Sequence, residues 1–139
     1  MQIKKLRHST YQHQYHIVWG TKWRRKFLKE YVKADLLQSF YKTIHYYPTL
    51  HIVCVNVDND HVHLQIEIPP DVSVSKAIQV LKQNSSVALK KKFLFIRRMY
   101  LSGIWSVGYF SSTIGLNEEI IKKYIEEQGK EDLPKDVDL

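Results

Sequence analysis

Residues 50–70 read LHIVCVNVDNDHVHLQIEIPP, and this segment predicts a β-hairpin. It contains two segments rich in β-branched residues, 50–57 and 61–68, joined by Asp58-Asn59-Asp60. Such residues favour strands, and a short connection of Asp and Asn between two strands is typical of a β-hairpin. Alternation along the second segment predicts that four of its side chains face the core: Val62, Leu64, Ile66 and Ile68.

The chain before the hairpin predicts one strand and one helix. Residues 11–19 alternate with a period of two, which indicates a strand, and a basic connection follows at residues 21–27. From residue 29 to residue 46 the apolar side chains recur every three or four positions, which indicates an amphipathic helix. Its predicted core positions are Val32, Leu36, Leu37, Phe40 and Ile44.

The chain after the hairpin predicts a second helix and a fourth strand. Ser73 or Ser75 can cap a helix that runs to about Phe93. Residues 103–113 are rich in aromatic and β-branched side chains around Gly108, so they predict a strand with a bulge or break at the glycine. The second helix has an apolar face to which we assign Ala77, Ile78, Leu81, Val87 and Leu89.

A third helix completes the pattern. It is capped by Asn117, is expected to reach Gln128 and to stop at Gly129, and is followed by a polar tail over residues 129–139. The order β-α-β-β-α-β-α contains the ferredoxin-like split β-α-β arrangement. We therefore predict one α+β domain over residues 1–128. It is a ferredoxin-like (RRM-like) sandwich with a largely antiparallel sheet, helices on one face and an additional C-terminal helix.

The charge of the chain points to a polyanionic partner. The 139 residues include 21 Lys and Arg against 14 Asp and Glu, a net charge of +7. Residues 1–29 contain eight basic side chains and residues 72–117 contain seven, and neither block contains a carboxylate. Acid-free blocks of this length indicate a nucleic-acid-binding surface, since phosphates neutralised by Lys or Arg release their counterions. The alternative is a basic surface that serves solubility alone.

Several classes of protein are excluded by the sequence. The apolar runs are far shorter than the about 20 residues that span a bilayer. The basic N-terminus lacks the apolar segment of a signal peptide, so we expect a cytoplasmic protein without a membrane segment. Cys54 is the only cysteine and cannot form an internal disulfide. The sequence also lacks the Cys/His pattern of a zinc site, the carboxylate clusters of two-metal nucleases and a phosphate-binding glycine loop.

Two histidines on the second strand of the hairpin are candidate metal ligands. Strand alternation places His61 and His63 on one face, about 7 Å apart along the backbone, so two imidazoles can converge on one ion. The alternative is a pair of solvated strand histidines. On the last helix, Tyr124 and Gln128 lie four residues apart and share one helical face. Taken alone, Tyr124 is better explained as a residue that covers the edge of the core.

Several ordered motifs, considered together, resemble a known family. The hairpin motif is Asp58-Asn59-Asp60 followed by His61-Val62-His63. The chain resembles the single-tyrosine HUH transposases of the insertion sequence 200/605 family over residues 11–128. Gln83 departs from the pattern, because relatives commonly have glycine at this position. The other matching motifs are TKWRRK at 21–26, KQNSS at 82–86, WSVGYF at 105–110 and YIEEQ at 124–128.

The resemblance implies a mechanism and assigns roles to four residues. His61, His63 and Gln128 would be the metal ligands, the metal would be Mg²⁺ or Mn²⁺, and Tyr124 would be the nucleophile. Two neutral imidazoles and one amide would add no anionic ligand near the DNA. A phenol with a pKa of about 10 is only about 0.1% ionised at pH 7, so its attack on phosphorus needs a cation or base nearby.

The resemblance also implies the substrate and the assembly. We expect a DNA transposase that binds hairpin-bearing single-stranded DNA at the element's ends. It would cut and rejoin these ends through a 5′-phosphotyrosine. We expect a homodimer in which the tyrosine helix of one subunit completes the active site of the other. The alternatives are a noncatalytic nucleic-acid-binding module and a domesticated HUH nickase that uses the same chemistry on a different DNA.

Overall fold

A computed structural model describes residues 14–113 and 118–131 of the chain. Within these ranges, no helix is long and apolar enough to cross a membrane. The strands are β1 (Gln14–Gly20), β2 (His51–Val57), β3 (His61–Glu67) and β4 (Phe110–Ser112). The helices are α1 (Glu30–Tyr46), α2 (Val74–Lys92), α3 (Leu94–Met99) and α4 (Glu118–Glu131), and a short 3₁₀ turn covers Lys22–Arg24.

The four strands form one sheet in the order β2-β3-β1-β4. Each adjacent pair is antiparallel, and β3 lies between β1 and β2. Because α1 connects β1 to β2 across the intervening β3, this is the split β-α-β arrangement. The predicted α+β sandwich with a largely antiparallel sheet is confirmed.

The main hydrophobic core lies between one face of the sheet and the helical layer. On the sheet side it contains Ile17 and Trp19 from β1, both fully buried, together with the predicted residues Val62, Leu64 and Ile66. Ile68, just after β3, is buried as predicted. From the helices come the following buried side chains: Val32, Leu36, Phe40, Ala77, Ile78, Leu81 and Leu89. Ser73 caps α2, accepting a hydrogen bond from the backbone N–H of Lys76 at 3.1 Å.

The prediction of a strand over residues 103–113 is wrong for most of its length. Only Phe110–Ser112 forms a strand, and Trp105 makes an isolated bridge with Thr21. Gly108, where a bulge or break was predicted, adopts a positive φ of 86°. The backbone before it is held by side chains instead of a ladder, since Lys82 donates to the carbonyls of Ser106 (2.6 Å) and Gly108 (2.9 Å).

The helices differ from the prediction in three places. Helix α3 was not predicted, and Val87 is 63% exposed although its spacing placed it on the apolar face of α2. Helix α4 does not stop at Gly129 but continues to Glu131, because one glycine costs a helix only about 1 kcal/mol. The expected cap at Asn117, the start of the first strand at residues 11–13 and the tail from residue 132 onward lie outside the described residues.

Candidate active site

His61 and His63 begin β3 and lie side by side. The tight turn before them is closed by a hydrogen bond from the Asp58 backbone N–H to the His61 carbonyl, at 2.9 Å. The centroids of the two imidazole rings are 4.8 Å apart. Hairpin geometry and strand alternation therefore bring the two predicted ligands together on one face of the sheet.

Asp58 joins the two histidines. Its Oδ2 lies 2.9 Å from His61 Nε2 and 4.0 Å from His63 Nε2. The three side chains each offer one ligand atom, and these atoms lie within 4.8 Å of one another. Neighbouring ligands at right angles around an ion with bonds of about 2.1 Å are about 3 Å apart, and opposite ligands about 4.2 Å. The separations of Asp58 Oδ2 from the two Nε2 atoms, 2.9 and 4.0 Å, lie within this range, so the three groups could hold a divalent cation.

Asp60 lies on the other side of the His61 ring. Its carboxylate is buried, with Oδ1 2.8 Å from His61 Nδ1 and Oδ2 3.3 Å from Arg24 Nη2. Burial raises the pKa of Asp60. The hydrogen bond to His61 and the charges of His61 and Arg24 outweigh burial and hold this pKa below its ordinary value of 3.8. The group is therefore a carboxylate at neutral pH.

His63 is kept neutral by its surroundings. Burial lowers its pKa below the ordinary 6.5, and the nearby His61 lowers it further, although the charge of Asp58 acts in the opposite direction. A metal binds the neutral imidazole. The surroundings of His63 therefore favour the form that ligates a cation.

The register of the sheet shows which face carries the site. In antiparallel strands, directly paired residues point to the same face. His63 pairs with Val18, and His61 pairs with Gly20. Val18 forms a small buried cluster with Ile125 of α4, against which Tyr124 packs. The tyrosine helix therefore covers the face of the sheet that carries the two histidines, opposite the main core.

Gly20 provides the space in which this helix sits. A methyl group built on Gly20 would lie 3.3 Å from Ile125 Cδ1 and 3.6 Å from the carbonyl oxygen of Asp60. Because Gly20 pairs with His61, the contact with α4 lies directly beside the first histidine. A methyl group at this position would require the Ile125 side chain to shift by a few tenths of an ångström.

Tyr124 and Gln128 are both held on this face. Tyr124 is partly buried, and its ring centroid lies 5.9 Å from that of Phe110. Gln128 is buried, and its side-chain Nε2 donates a hydrogen bond to the Val107 carbonyl. That bond uses the amide nitrogen, whereas the ligand atom of an amide is its oxygen. The structure thus places the histidine pair together and Tyr124 on their face, with the Gln128 amide anchored to the irregular segment before β4.

Comparison with known proteins identifies the family of this chain. Residues 9–128 match the family model described as "Transposase IS200 like". The chain is also 34% identical over 131 residues to the transposase of insertion sequence element IS200 from Salmonella typhimurium, covering 93% of this chain and 85% of that protein. The chain belongs to the IS200-like transposase family. The family resemblance found in the sequence is confirmed.

Two solved structures share the fold of this transposase-family chain. One is a Deinococcus radiodurans R1 protein assigned as a transposase, with a TM-score of 0.72 and 24% identity over 83% of this chain and 89% of that chain. The other is a REP-associated tyrosine transposase bound to a REP hairpin. It has a TM-score of 0.58 and 16% identity over 83% of this chain and 63% of that chain.

Three residues of the candidate site were missed by sequence reasoning. Asp58 and Asp60 were assigned only to the hairpin turn, where Asp is common for local reasons. Arg24 was counted among the basic residues available to DNA, but it is paired with Asp60. A carboxylate three residues before the first histidine, across a tight turn, was the available signal for Asp58. The pairing of Arg24 with Asp60 depends on the fold, and no sequence pattern predicts it.

Proposed function

We propose that the protein is a DNA transposase that binds hairpin-bearing single-stranded element ends and cleaves and rejoins them through Tyr124. The observation that carries the proposal is the position of the tyrosine helix over the histidine face of the sheet. A phenol, a cation site and a basic chain are the components that this chemistry requires. A noncatalytic DNA-binding module would need neither the cation site nor the tyrosine.

The proposed metal ion is Mg²⁺ or Mn²⁺, bound by His61, His63 and Gln128. The geometry adds Asp58 to this ligand set, so the site would contain one carboxylate in addition to neutral ligands. Imidazole and carboxylate ligands suit Mn²⁺ and Zn²⁺ as well as Mg²⁺, so the preference for Mg²⁺ or Mn²⁺ rests on the family. When bound, the ion would polarise a nonbridging oxygen of the scissile phosphate.

Tyr124 would supply the nucleophile. Its phenolic oxygen would form a bond to the scissile phosphorus while the bond from phosphorus to the 3′ oxygen breaks, and the phenolic proton would pass to the departing 3′ oxygen. The products would be a 5′-phosphotyrosine and a free 3′-OH. Because the new ester keeps the bond energy, the 3′-OH of another end can reverse the step and join two strands without ATP. The direct test is a protein–DNA adduct that survives a denaturing gel when an end-labelled hairpin is incubated with Mn²⁺.

The DNA partner is supported by the charge and by a structural relative. The REP-associated relative was solved with a DNA hairpin. In this chain, Trp23 is partly buried and is flanked by Lys22 Nζ at 5.4 Å and Arg25 Cζ at 5.1 Å from its ring centroid. Arg25 and Lys26 are exposed beside it. We assign this basic connection to phosphate contacts with the DNA.

Binding of a DNA hairpin should weaken steeply with salt. Each neutralised phosphate contributes about 0.7 to 0.9 to the slope of log affinity against log salt concentration. For about five contacts we expect a slope of roughly −4, measured by fluorescence anisotropy in EDTA. The double variant Arg25→Gln/Lys26→Gln should be shallower by about 1 to 2. Lys33→Gln, which removes a lysine paired with Glu30, is the matched control. A flat response of the unmodified protein would count against the assignment of a phosphate-binding surface.

We also propose that the transposase is a homodimer with active sites completed in trans. The described contacts of α4 with its own sheet centre on a two-residue buried cluster, Val18 and Ile125, which is separate from the main core. Because this cluster is separate from the main core, the helix can pass to an identical surface on a partner without unfolding either subunit.

Mixing two inactive variants tests this arrangement. Tyr124→Phe keeps the histidines, and His61→Ala/His63→Ala keeps the tyrosine. In trans assembly each heterodimer holds one complete site, so cleavage should return to roughly a quarter to a half of the unmodified activity, with the adduct on the histidine variant's chain. In cis assembly every site lacks one half. Cleavage that stays absent in verified heterodimers would refute the trans arrangement and leave the Tyr124 assignment intact.

A further inference from the structure

We propose that Asp60 is a positioning residue of the metal site and that Arg24 holds its carboxylate in place. Asp60 would fix the ring of His61 so that Nε2 faces the cation. This inference rests on the proposed function, because it concerns the same Mg²⁺ or Mn²⁺ ion. It concerns the binding of that cation and not the cleavage step.

The position of Asp60 is fixed on several sides. The residue is 4% exposed. Its carboxylate contacts the His61 ring through one oxygen and the Arg24 guanidinium through the other, at 2.8 and 3.3 Å. Its backbone carbonyl accepts a hydrogen bond from Thr21 N–H at 2.9 Å, and the carbonyl of Asn59 accepts one from Leu28 N–H at 3.1 Å. The turn before β3 is therefore tied to the connection after β1 by both backbone and side chains.

The contact with Asp60 fixes the role of one nitrogen of His61. A carboxylate accepts hydrogen bonds and cannot donate one, so its partner Nδ1 carries a hydrogen in this contact. Because Nδ1 is engaged by Asp60, Nε2 is the ring atom that can ligate a cation. That atom faces Asp58 Oδ2 at 2.9 Å, inside the proposed ligand cluster. Carboxylates that orient ligating histidines in this way raise ligand basicity and metal affinity.

Arg24 reaches Asp60 from an unusual backbone conformation. Trp23 and Arg24 have φ angles of 61° and 55°, and they are the described non-glycine residues in the left-handed region. Such conformations persist where surrounding contacts hold them, and they cluster at functional sites. The Trp23 ring rests on Tyr100, with centroids 5.7 Å apart, and the Arg24 guanidinium ends on Asp60. The backbone thus turns the Arg24 side chain toward Asp60, whereas that of the next arginine, Arg25, is exposed.

The experiment measures Mn²⁺ binding to the full-length protein without DNA, by calorimetry and by electron paramagnetic resonance of free Mn²⁺. Asp60→Asn keeps the size of the side chain but lets an amide N–H face Nδ1, which favours the Nε2–H tautomer. We expect Mn²⁺ affinity to fall about 10- to 100-fold. Nitrogen NMR of the metal-free protein should show a hydrogen on His61 Nδ1 in the unmodified chain and its loss in the variant. Asp71→Asn, at an exposed aspartate, is the matched control.

A second pair of variants covers the case in which Asp60→Asn fails to fold. Arg24→Gln should lower Mn²⁺ affinity about 10-fold, whereas Arg25→Gln should leave that affinity unchanged and weaken DNA binding instead. Unmodified Mn²⁺ affinity and an unmodified His61 tautomer in folded Asp60→Asn or Arg24→Gln would overturn the positioning role. If the unmodified protein bound no divalent cation, the proposed metal site itself would fail. The two failures are therefore distinguishable.

Discussion

Tyr124→Phe should abolish the covalent protein–DNA adduct, lowering its rate of formation by about 10⁴-fold or more, because removal of a nucleophile has effects of this size. The substitution removes one oxygen and keeps the ring that packs 5.9 Å from Phe110. Stability and hairpin binding should therefore change little. The measurement is a denaturing gel with hairpin oligonucleotides labelled at either end, which also shows on which side of the cut the protein remains.

The control for this variant is Tyr46→Phe. Tyr46 is 70% exposed at the end of α1, in the helical layer on the other side of the sheet, so the same chemical change there should leave adduct formation at the unmodified rate. An adduct of normal yield from Tyr124→Phe would show that another residue is the nucleophile. A variant that also lost hairpin binding would place Tyr124 in the DNA-binding surface instead.

The double variant His61→Ala/His63→Ala should lose Mn²⁺ binding and reduce cleavage by about 10³-fold or more. It leaves Asp58, whose side chain is 64% exposed, as the remaining member of the described cluster. A single solvated carboxylate does not hold a divalent cation firmly. Calorimetric titration with Mn²⁺ measures the first effect and the adduct assay measures the second, while hairpin affinity in EDTA should be unchanged.

His51→Ala is the matched control for the histidine pair. His51 is exposed at the start of β2 in the same sheet, where it pairs with Glu67 at the far end of β3 from the metal cluster. It should bind Mn²⁺ and form the adduct as the unmodified protein does. Full cleavage by the double variant would exclude His61 and His63 as ligands of the reacting centre.

The elements of this fold were largely readable from the sequence because hydrophobic periodicity dominates them. The hairpin, the three long helices and the core residues of β3 all follow spacing rules that depend on near neighbours in the chain. The strand prediction failed over residues 103–109 because aromatic and β-branched side chains, which are typical of strands, are frequent there. Lys82 binds the backbone of this segment, and the Trp105 indole donates a hydrogen bond to Ser85 Oγ at 3.0 Å. Both contacts join residues that are far apart in the chain, so spacing rules do not predict them.

The parts of the site that depend on neighbours in the chain were predictable from the sequence. The parts that depend on the register between β1 and β3 were not. His61 and His63 share a face by alternation alone. Their position under the tyrosine helix follows from the pairing of His63 with Val18, which no spacing rule supplies. Val18 lies on the face of β1 away from the main core, yet it is fully buried, because α4 covers that face.

The division of the sheet into two faces bears on how such a protein can change over generations. The main core, with Trp19, Leu64 and the helical layer, lies on one face, and the histidines and the tyrosine helix lie on the other. Substitutions that end the proposed chemistry need not disturb the core, so a copy that has lost Tyr124 or His61 should still fold. Under the proposed function, such a copy would still occupy the DNA ends that an active copy needs. Point mutation alone would then turn this chain from an enzyme into an inhibitor of its own kind.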